Sequence, residues 1–271
     1  MPARMHHPGR LAQSAQRSRF TWATLPPNAS CAWTGLRREG YKMFLEGYGP
    51  VLLAGTVQTI QLSLLSLLVS FVLGLIGAGA KLSGNRLAVG IATGYTTLIR
   101  GVPDLVLMLL LFFSLQIWLN QLTDWLGLDT IDIDPFFAGV LTIGFIYGAY
   151  FTETFRGAFL SVPRGQIEAA VAYGMSRPQI FRRILFPQMM RFALPGIGNN
   201  WQVLVKATAL VSIIGLADVV KAAQDAGKGT LQFFQFTLIA AAIYLAITTV
   251  SNLVLIWLER RYSIGVRKAE L

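Results

Sequence analysis

Long runs without a charged residue constrain this chain more than any other feature of its sequence. Four runs contain no Asp, Glu, Lys or Arg, at 47–80, 105–123, 135–152 and 229–258. A hydrocarbon core about 30 Å thick needs roughly 20 apolar residues in a helix. Only 13% of the residues are charged, whereas soluble domains contain about 25%. The sequence therefore predicts an all-α integral membrane protein.

Two further apolar segments decide the number of spans. Residues 192–217 are interrupted only by Lys206 and predict a fifth span. The run 87–99 is too short to cross alone and is followed by "RGVPD", so we expect it to join the second span as a kinked or interfacial approach. Five transmembrane helices are expected, and no remaining segment is typical of a soluble enzyme domain.

The positive charges of the loops predict the orientation of the chain. The segment between the third and fourth predicted spans is rich in arginine, which places it in the cytoplasm: Arg156, Arg164, Arg177, Arg182, Arg183 and Arg191. With five spans, the C-terminus then also lies in the cytoplasm.

The first 42 residues break this pattern. They hold seven Lys and Arg against Glu39 alone, yet an odd number of spans places them outside. The tail has no helical period, and its Cys31 is the one cysteine of the chain, so no disulfide can form within one chain. We interpret 1–42 as a basic, disordered tail, or as a consequence of translation starting at Met43, and 43–271 as the transmembrane domain.

The segment 168–187 is basic and contains helix breakers. Gly174 suits the end of a short first helix. Ser176 and Gln179 have the spacing of a capping box that starts a second helix, which Pro187 is expected to stop. The apolar residues of this second helix are expected on one face: Ile180, Phe181, Ile184 and Leu185. The residues alone leave two interpretations, an interfacial helix that binds anionic lipid or a docking element for a cytoplasmic partner.

The spacing within this segment resembles a known motif. Glu168, Ala169 and Ala170, followed by Gly174 and then by Ile184 and Pro187, resemble the EAA loop of ABC importer permeases, although Phe186 stands where leucine is usual. Over 43–271, the stretches "GYTTLIRGVPDLVLMLL", "GAYFTETFRGAF", "ALPGIGNNWQVLVKATALVS" and "LERRYS" are similar to the polar-amino-acid group, most closely to histidine and lysine–arginine–ornithine permeases of Gram-negative bacteria.

This resemblance implies a MetI-like fold in the bacterial inner membrane and transport of a polar, basic amino acid. It implies that the EAA loop binds an ATPase subunit and couples ATP hydrolysis to the spans, which favours docking over lipid binding. The implied partners are a second, paralogous permease chain, two cytoplasmic ATPase subunits and a periplasmic binding protein, within a lipid bilayer and without nucleic acid. No cofactor is implied, and the sequence lacks a Gly-x-x-x-x-Gly-Lys-[Ser/Thr] phosphate loop.

Three charged residues within or near the spans are candidates for the substrate path. A charge at the centre of a membrane helix costs about 2.5–3.5 kcal/mol, so Asp104, Glu153 and Lys206 are expected to face a path, a partner or an interface. Asp104 follows the break at "RGVP" and is the preferred partner of a cationic substrate. The alternatives are a Glu153–Arg156 ion pair and a Lys206 that snorkels or neutralises a carboxylate.

Two other functions stay open from the residues alone. A membrane-embedded enzyme would have Glu153 and Lys206 as its acid–base pair, and a non-transporting assembly subunit would need neither. No cluster of His, Cys or carboxylates with metal-ligand spacing is present in the sequence, so no metal site is predicted. Three pairs of glycines are expected to mark close helix packing: Gly74 and Gly77, Gly90 and Gly94, and Gly144 and Gly148.

Overall fold

The computed structural model describes residues 47–127, 129 and 132–262, and every regular element within these ranges is helical. The tail 1–42 and Met43 lie outside the described residues. The helices are α1 (Gly49–Leu82), α2 (Arg86–Gly101), α3 (Asp104–Leu126), α4 (Pro135–Leu160), α5 (Arg164–Ala172), α6 (Arg177–Ile180), α7 (Phe186–Ala207), α8 (Val219–Thr230) and α9 (Phe233–Tyr262). A π-helical segment, Phe181–Leu185, joins α6 to α7, and a 3₁₀ segment, Thr208–Ile214, follows α7.

Four helices, α1, α3, α4 and α9, are long and apolar enough to cross a membrane, and a fifth span is bent. It consists of Arg177–Ile214 and Val219–Thr230, which meet at 52°. Counted as one span, this bent pair completes the expected five. Its first arm covers 192–214 of the predicted fifth span, and Val219–Thr230 adds a second arm that the sequence did not predict. Gly215 adopts a left-handed φ of 101°, and Asp218 starts a new helix by accepting a hydrogen bond from the Lys221 amide at 2.9 Å. Local capping therefore sets the break where the apolar run ends.

The short helix α2 ends where the sequence suggested a kink. Val102 is extended, with φ −109° and ψ 141°, because the ring of Pro103 disfavours a helical conformation in the preceding residue. A new helix, α3, begins at Asp104. The chain consequently has a backbone break between two charged residues, Arg100 and Asp104.

Close packing of α4 against its neighbours forms the core. A β-carbon added at any of four glycines would approach a neighbouring side chain to less than 3 Å, which confirms two predicted pairs: Gly74, Gly77, Gly144 and Gly148. Gly90 and Gly94 make no such approach within the described chain, where an added β-carbon meets no atom within 4 Å. These two glycines lie on an exposed face of α2.

Helix α4 is the most buried of the four unbroken spans, and α3 and α9 are the least buried. Three aromatic residues of α4 are almost completely buried, Tyr147, Phe151 and Phe155. Tyr147 lies near the middle of the 26 residues of α4. Because a helix rises about 1.5 Å per residue, Tyr147 lies roughly 20 Å from either end of α4, and groups that contact it share that position along the helix.

Candidate functional site

The end of α5 has the geometry that the EAA spacing predicted. Gly174 has φ +72°, and its amide donates to the Val171 carbonyl at 2.9 Å while the Met175 amide donates to the Ala170 carbonyl at 3.1 Å. These two bonds form a Schellman motif, which requires a left-handed residue at this position. An added β-carbon at Gly174 meets no atom of the described chain within 4 Å. The backbone angle, and not a lack of space, therefore calls for glycine here.

The start of α6 also agrees with the sequence. Ser176 is the N-cap, and the Gln179 side-chain oxygen accepts from the Ser176 amide at 2.9 Å. Ile180 is buried, but Phe181 is 48% exposed and packs on Phe186 with ring centroids 6.0 Å apart. The expectation of one apolar face that includes Phe181 is wrong, because the π turn adds a residue to the repeat and changes the direction of the side chains.

The helix does not stop at Pro187. It continues from α6 through the π segment into α7, where Pro187 lies in the first turn. A proline removes the amide that would bond to the carbonyl four residues earlier, and its ring collides with that carbonyl. Here the Phe186 amide bonds to the Phe181 carbonyl, five residues back, so the widened turn accommodates the proline.

The EAA residues divide between the surface and the interior. Glu168, Ala169 and Gly174 are exposed, whereas Ala170 is only 3% exposed. Ile184 and Pro187 are half-buried in the helix that enters the membrane domain. The coupling surface, defined here as the exposed side of α5, α6 and the π segment, carries three prominent hydrophobic side chains between arginines: Val171, Tyr173 and Phe181. Tyr173 is 88% exposed.

Glu153 is held between two cations. It pairs with Lys81 of α1, and its second oxygen accepts from Arg156 Nε at 3.0 Å. Lys81 also donates to the Thr96 hydroxyl at 2.6 Å, so the cluster joins α1, α2 and α4. The Glu153–Arg156 pair was an expected alternative, but sequence reasoning missed Lys81, which directly follows the first uncharged run and lies in the last turn of α1. The acid–base pair of the enzyme interpretation is not assembled, since Glu153 contacts other cations.

Asp104 accepts a hydrogen bond from the Tyr147 hydroxyl at 3.0 Å. Tyr147 stacks on Tyr150 with ring centroids 5.4 Å apart, and the Arg100 guanidinium lies 5.4 Å from the centroid of the Tyr150 ring. Both charges therefore stand at the middle depth of α4. Sequence reasoning missed Tyr147, Tyr150 and Arg100, because their contacts depend on how α2 and α3 pack on α4.

Lys206 lines a cavity of about 340 Å³ between α7, α8 and α9. The other polar side chains of the lining are Gln224, Thr237 and Tyr244. Among the described residues, no carboxylate lies within 4 Å of the Lys206 ammonium, so the alternative that it neutralises one is not observed. Within the described part of the chain, no three His, Cys, Asp or Glu side chains are grouped closely enough to hold a metal ion.

Comparisons with known proteins agree with this architecture. The family described as "Binding-protein-dependent transport system inner membrane component" matches residues 70–264. The histidine/lysine/arginine/ornithine transport system permease protein HisQ of Salmonella typhimurium is 63% identical over 227 residues, which are 84% of this chain and 100% of that protein. The octopine permease OccQ of Rhizobium radiobacter is 39% identical over 82% of this chain and 94% of its own length.

Two solved structures have the same fold. A crystal structure of an amino acid ABC transporter with histidines matches with a TM-score of 0.67 and 32% identity, over 79% of this chain and 95% of that chain. An inward-facing MetNI methionine transporter matches with a TM-score of 0.60 and 17% identity, over 79% of this chain and 97% of that chain. The chain thus belongs to the family of inner membrane components of binding-protein-dependent transport systems, and it is a multi-pass amino acid ABC transporter permease with the MetI-like fold.

Proposed function

We propose that this permease carries basic amino acids, namely histidine, lysine, arginine and ornithine, across the inner membrane. The observation that carries the proposal is the 63% identity to a permease named for these four substrates, over the whole length of that relative. The permease works with a second, paralogous permease chain, two cytoplasmic ATPase subunits that hydrolyse ATP, and a periplasmic binding protein that delivers the substrate.

The coupling surface and the C-terminus face the cytoplasm in this proposal. The arginines of the loop support it, because positive loops stay on the cytoplasmic side. Arg260 and Arg261 in the last turn of α9 agree with it.

The coupling surface docks into the ATPase subunit. Two features support this role: the exposed Tyr173, Val171 and Phe181 offer apolar contact area, and α6 continues without interruption into the fifth span. A displacement at the surface therefore moves the helix as one body up to the bend at 215–218. A surface that only bound lipid would need the arginines but not the fixed turn at Gly174.

The charged candidates divide into two roles. Asp104 and Lys206 line the substrate path: Asp104 is partly exposed at membrane depth and Lys206 faces a cavity. Glu153 stabilises the packing of α1, α2 and α4, because Lys81 and Arg156 already use both of its oxygens.

Reconstitution tests this function. The permease pair, the ATPase and the binding protein are assembled in proteoliposomes, and ATP-dependent uptake of radiolabelled arginine is compared with uptake of glutamine. We expect arginine uptake that depends on the binding protein, with little glutamine uptake. Conversion of a substrate without uptake would support the enzyme interpretation, and assembly without uptake would support a non-transporting subunit.

A further inference from the structure

An apolar groove with a volume of about 400 Å³ runs between α1, α7 and α9. Each helix contributes one face to its walls, including Leu64 and Phe71 of α1, Leu194 and Trp201 of α7, and Ser251 and Leu255 of α9. The Ser251 hydroxyl already donates to the Ile247 carbonyl of its own helix at 2.7 Å, so it needs no further partner. An occupant of this groove must therefore offer hydrocarbon, because a polar group would find no hydrogen bond there.

Two contacts fix the register of α7 against α9. A β-carbon added at Gly198 would lie 3.2 Å from Leu255 Cδ1, and the Gln202 side chain donates to the Asn252 side chain at 3.5 Å. Positions that increase along α7 thus meet positions that decrease along α9, so the two helices are antiparallel. The start of α7, which continues from the coupling surface, is consequently level with the end of α9.

Two arginines lie at this end of the groove. Continued for about two helical turns from Gly198, the register places Arg191 beside the last turn of α9, which contains Arg261. Each guanidinium lies against an aromatic ring, Arg191 at 5.7 Å from the centroid of Phe192 and Arg261 at 5.8 Å from that of Trp257. Within the described ranges, no carboxylate lies within 4 Å of either guanidinium. Tryptophan and arginine at the end of a span are typical of the lipid head-group level.

The groove lies on the lipid side of α7. The polar residues Asn199, Gln202 and Lys206 occupy a nearly opposite face of that helix, and polar faces of spans turn toward a water-filled path or another protein. Helix α9, which forms a second wall, is one of the two least buried spans. The hydrocarbon of the bilayer therefore has access to the groove, whereas a second permease chain would meet the polar face.

We propose that the groove binds an anionic phospholipid from the leaflet on the side of the coupling surface. One acyl chain lies along the apolar walls, and the phosphate accepts hydrogen bonds from Arg191 and Arg261, whose planar forks suit phosphate oxygens. Basic pockets between membrane helices bind anionic head groups in this way. The bound lipid fills the space beside α7, the helix that continues from the coupling surface. This site is additional to the proposed transport function.

The test uses the purified transporter complex in phosphatidylcholine vesicles that contain a phosphatidylglycerol with a photoreactive diazirine at the end of one acyl chain. Mass spectrometry of peptides locates the links formed on irradiation. We expect links within 190–201 and 250–258, suppressed by unlabelled phosphatidylglycerol and not by additional phosphatidylcholine. A basic residue at an anionic lipid surface strengthens binding about fivefold. At low probe concentration, Arg191→Gln and Arg261→Gln should each lower the yield of these links by about that factor.

Matched variants separate charge from shape. Arg260→Gln removes an exposed arginine that neighbours Arg261 but lies on another side of α9, and it should leave the links unchanged. Ser251→Trp fills the groove and keeps both arginines, so it should abolish the links. Leu253→Trp places the same ring at a position that is 63% exposed outside the groove and should be silent.

Three results would overturn this inference. The first is equal labelling by the phosphatidylglycerol probe and by the same probe with a choline head group. The second is wild-type labelling in both Arg191→Gln and Arg261→Gln. The third is no labelling of the groove in the wild-type complex, together with a link from Ser251→p-benzoylphenylalanine to the second permease chain, which would make that chain the occupant. Arginine uptake is measured separately, so each of these results leaves the proposed transport function standing.

Discussion

Replacing Gly174 tests whether the turn between α5 and α6 couples the spans to an ATPase. The residue has φ +72°, and the Schellman bonds of Val171 and Ala170 depend on that conformation. A β-carbon has free space there within the described chain. Any effect of a substitution therefore comes either from the backbone angle or from a partner that approaches the exposed glycine.

The magnitude follows from the backbone. An L-residue in the left-handed region costs roughly 1–2 kcal/mol, and a β-branched residue resists that region most strongly. Valine at 174 should therefore cost about 2 kcal/mol, alanine about 1 kcal/mol, and asparagine the least, because its side chain tolerates positive φ. Since 1.4 kcal/mol is a factor of ten, Gly174→Val should lower the population of the docking conformation by about tenfold or more.

The assay is co-purification of the ATPase together with stimulation of its hydrolysis by substrate-loaded binding protein. We expect losses in the order Val, Ala, Asn, with membrane insertion intact in all three variants because the spans are unchanged. Arg182→Gln with Arg183→Gln provides the contrast, since both arginines are exposed on the same surface. A lipid anchor predicts that this double variant has the larger effect.

Two results would refute this reasoning. If Gly174→Val retains full ATPase association and uptake while the arginine variant abolishes both, the segment is a membrane-surface anchor. If Asn is worse than Ala at 174, side-chain size matters more than φ, and close approach of a partner, not the turn, explains the glycine.

Further predictions concern the rest of the chain. Deleting residues 1–42 should leave insertion and uptake unchanged, and loss of either in the truncated protein would contradict this. Asp104→Asn should lower uptake of arginine and lysine more than uptake of histidine, whose side chain is largely neutral at pH 7; equal losses for all three would indicate a role in folding or packing instead. Glu153→Gln should cost about 1.5–3 kcal/mol of stability, because it removes the carboxylate partner of Lys81 and leaves that ammonium only the Thr96 hydroxyl. Lys81→Met should cost less, because Arg156 remains, and the double variant should recover part of the loss; thermal unfolding of the complex measures all three.

Features set by neighbouring residues were predictable from the sequence. The spans follow from run length, and the turn at Gly174 and the cap at Ser176 follow from local hydrogen bonding that needs no distant partner. The same is true of the glycines that face α4, because small residues in apolar helices are used mainly for close packing. Gly90 and Gly94 have the same spacing, but no atom of the described chain lies within 4 Å of a β-carbon added there, so spacing alone does not show where a partner helix lies.

Features set by distant residues were not predictable. Glu153 and Lys81 are separated by 72 positions. Lys81 reaches Glu153 because α1 continues to Leu82, so that Lys81 lies on the helix and not in the following loop. The Tyr147–Asp104 bond spans 43 positions and depends on the break at Pro103 and the rotation of α4. A single sequence without its three-dimensional packing identifies the acidic candidate but not the tyrosine that bonds to it.

Pro187 shows how a correct local rule gives a wrong element. Proline ends helices because it lacks an amide hydrogen and its ring collides with the preceding turn. The helix would end at Pro187 if the following residues could leave the helix axis at that point. Here Ile180 is buried on the α6 side and Met189 is buried on the α7 side, so turning away would expose both. A π turn, in which the Phe186 amide reaches the Phe181 carbonyl, costs less than losing that burial. The result is a helix that carries the coupling surface directly into the fifth span, where a broken helix would have separated the two.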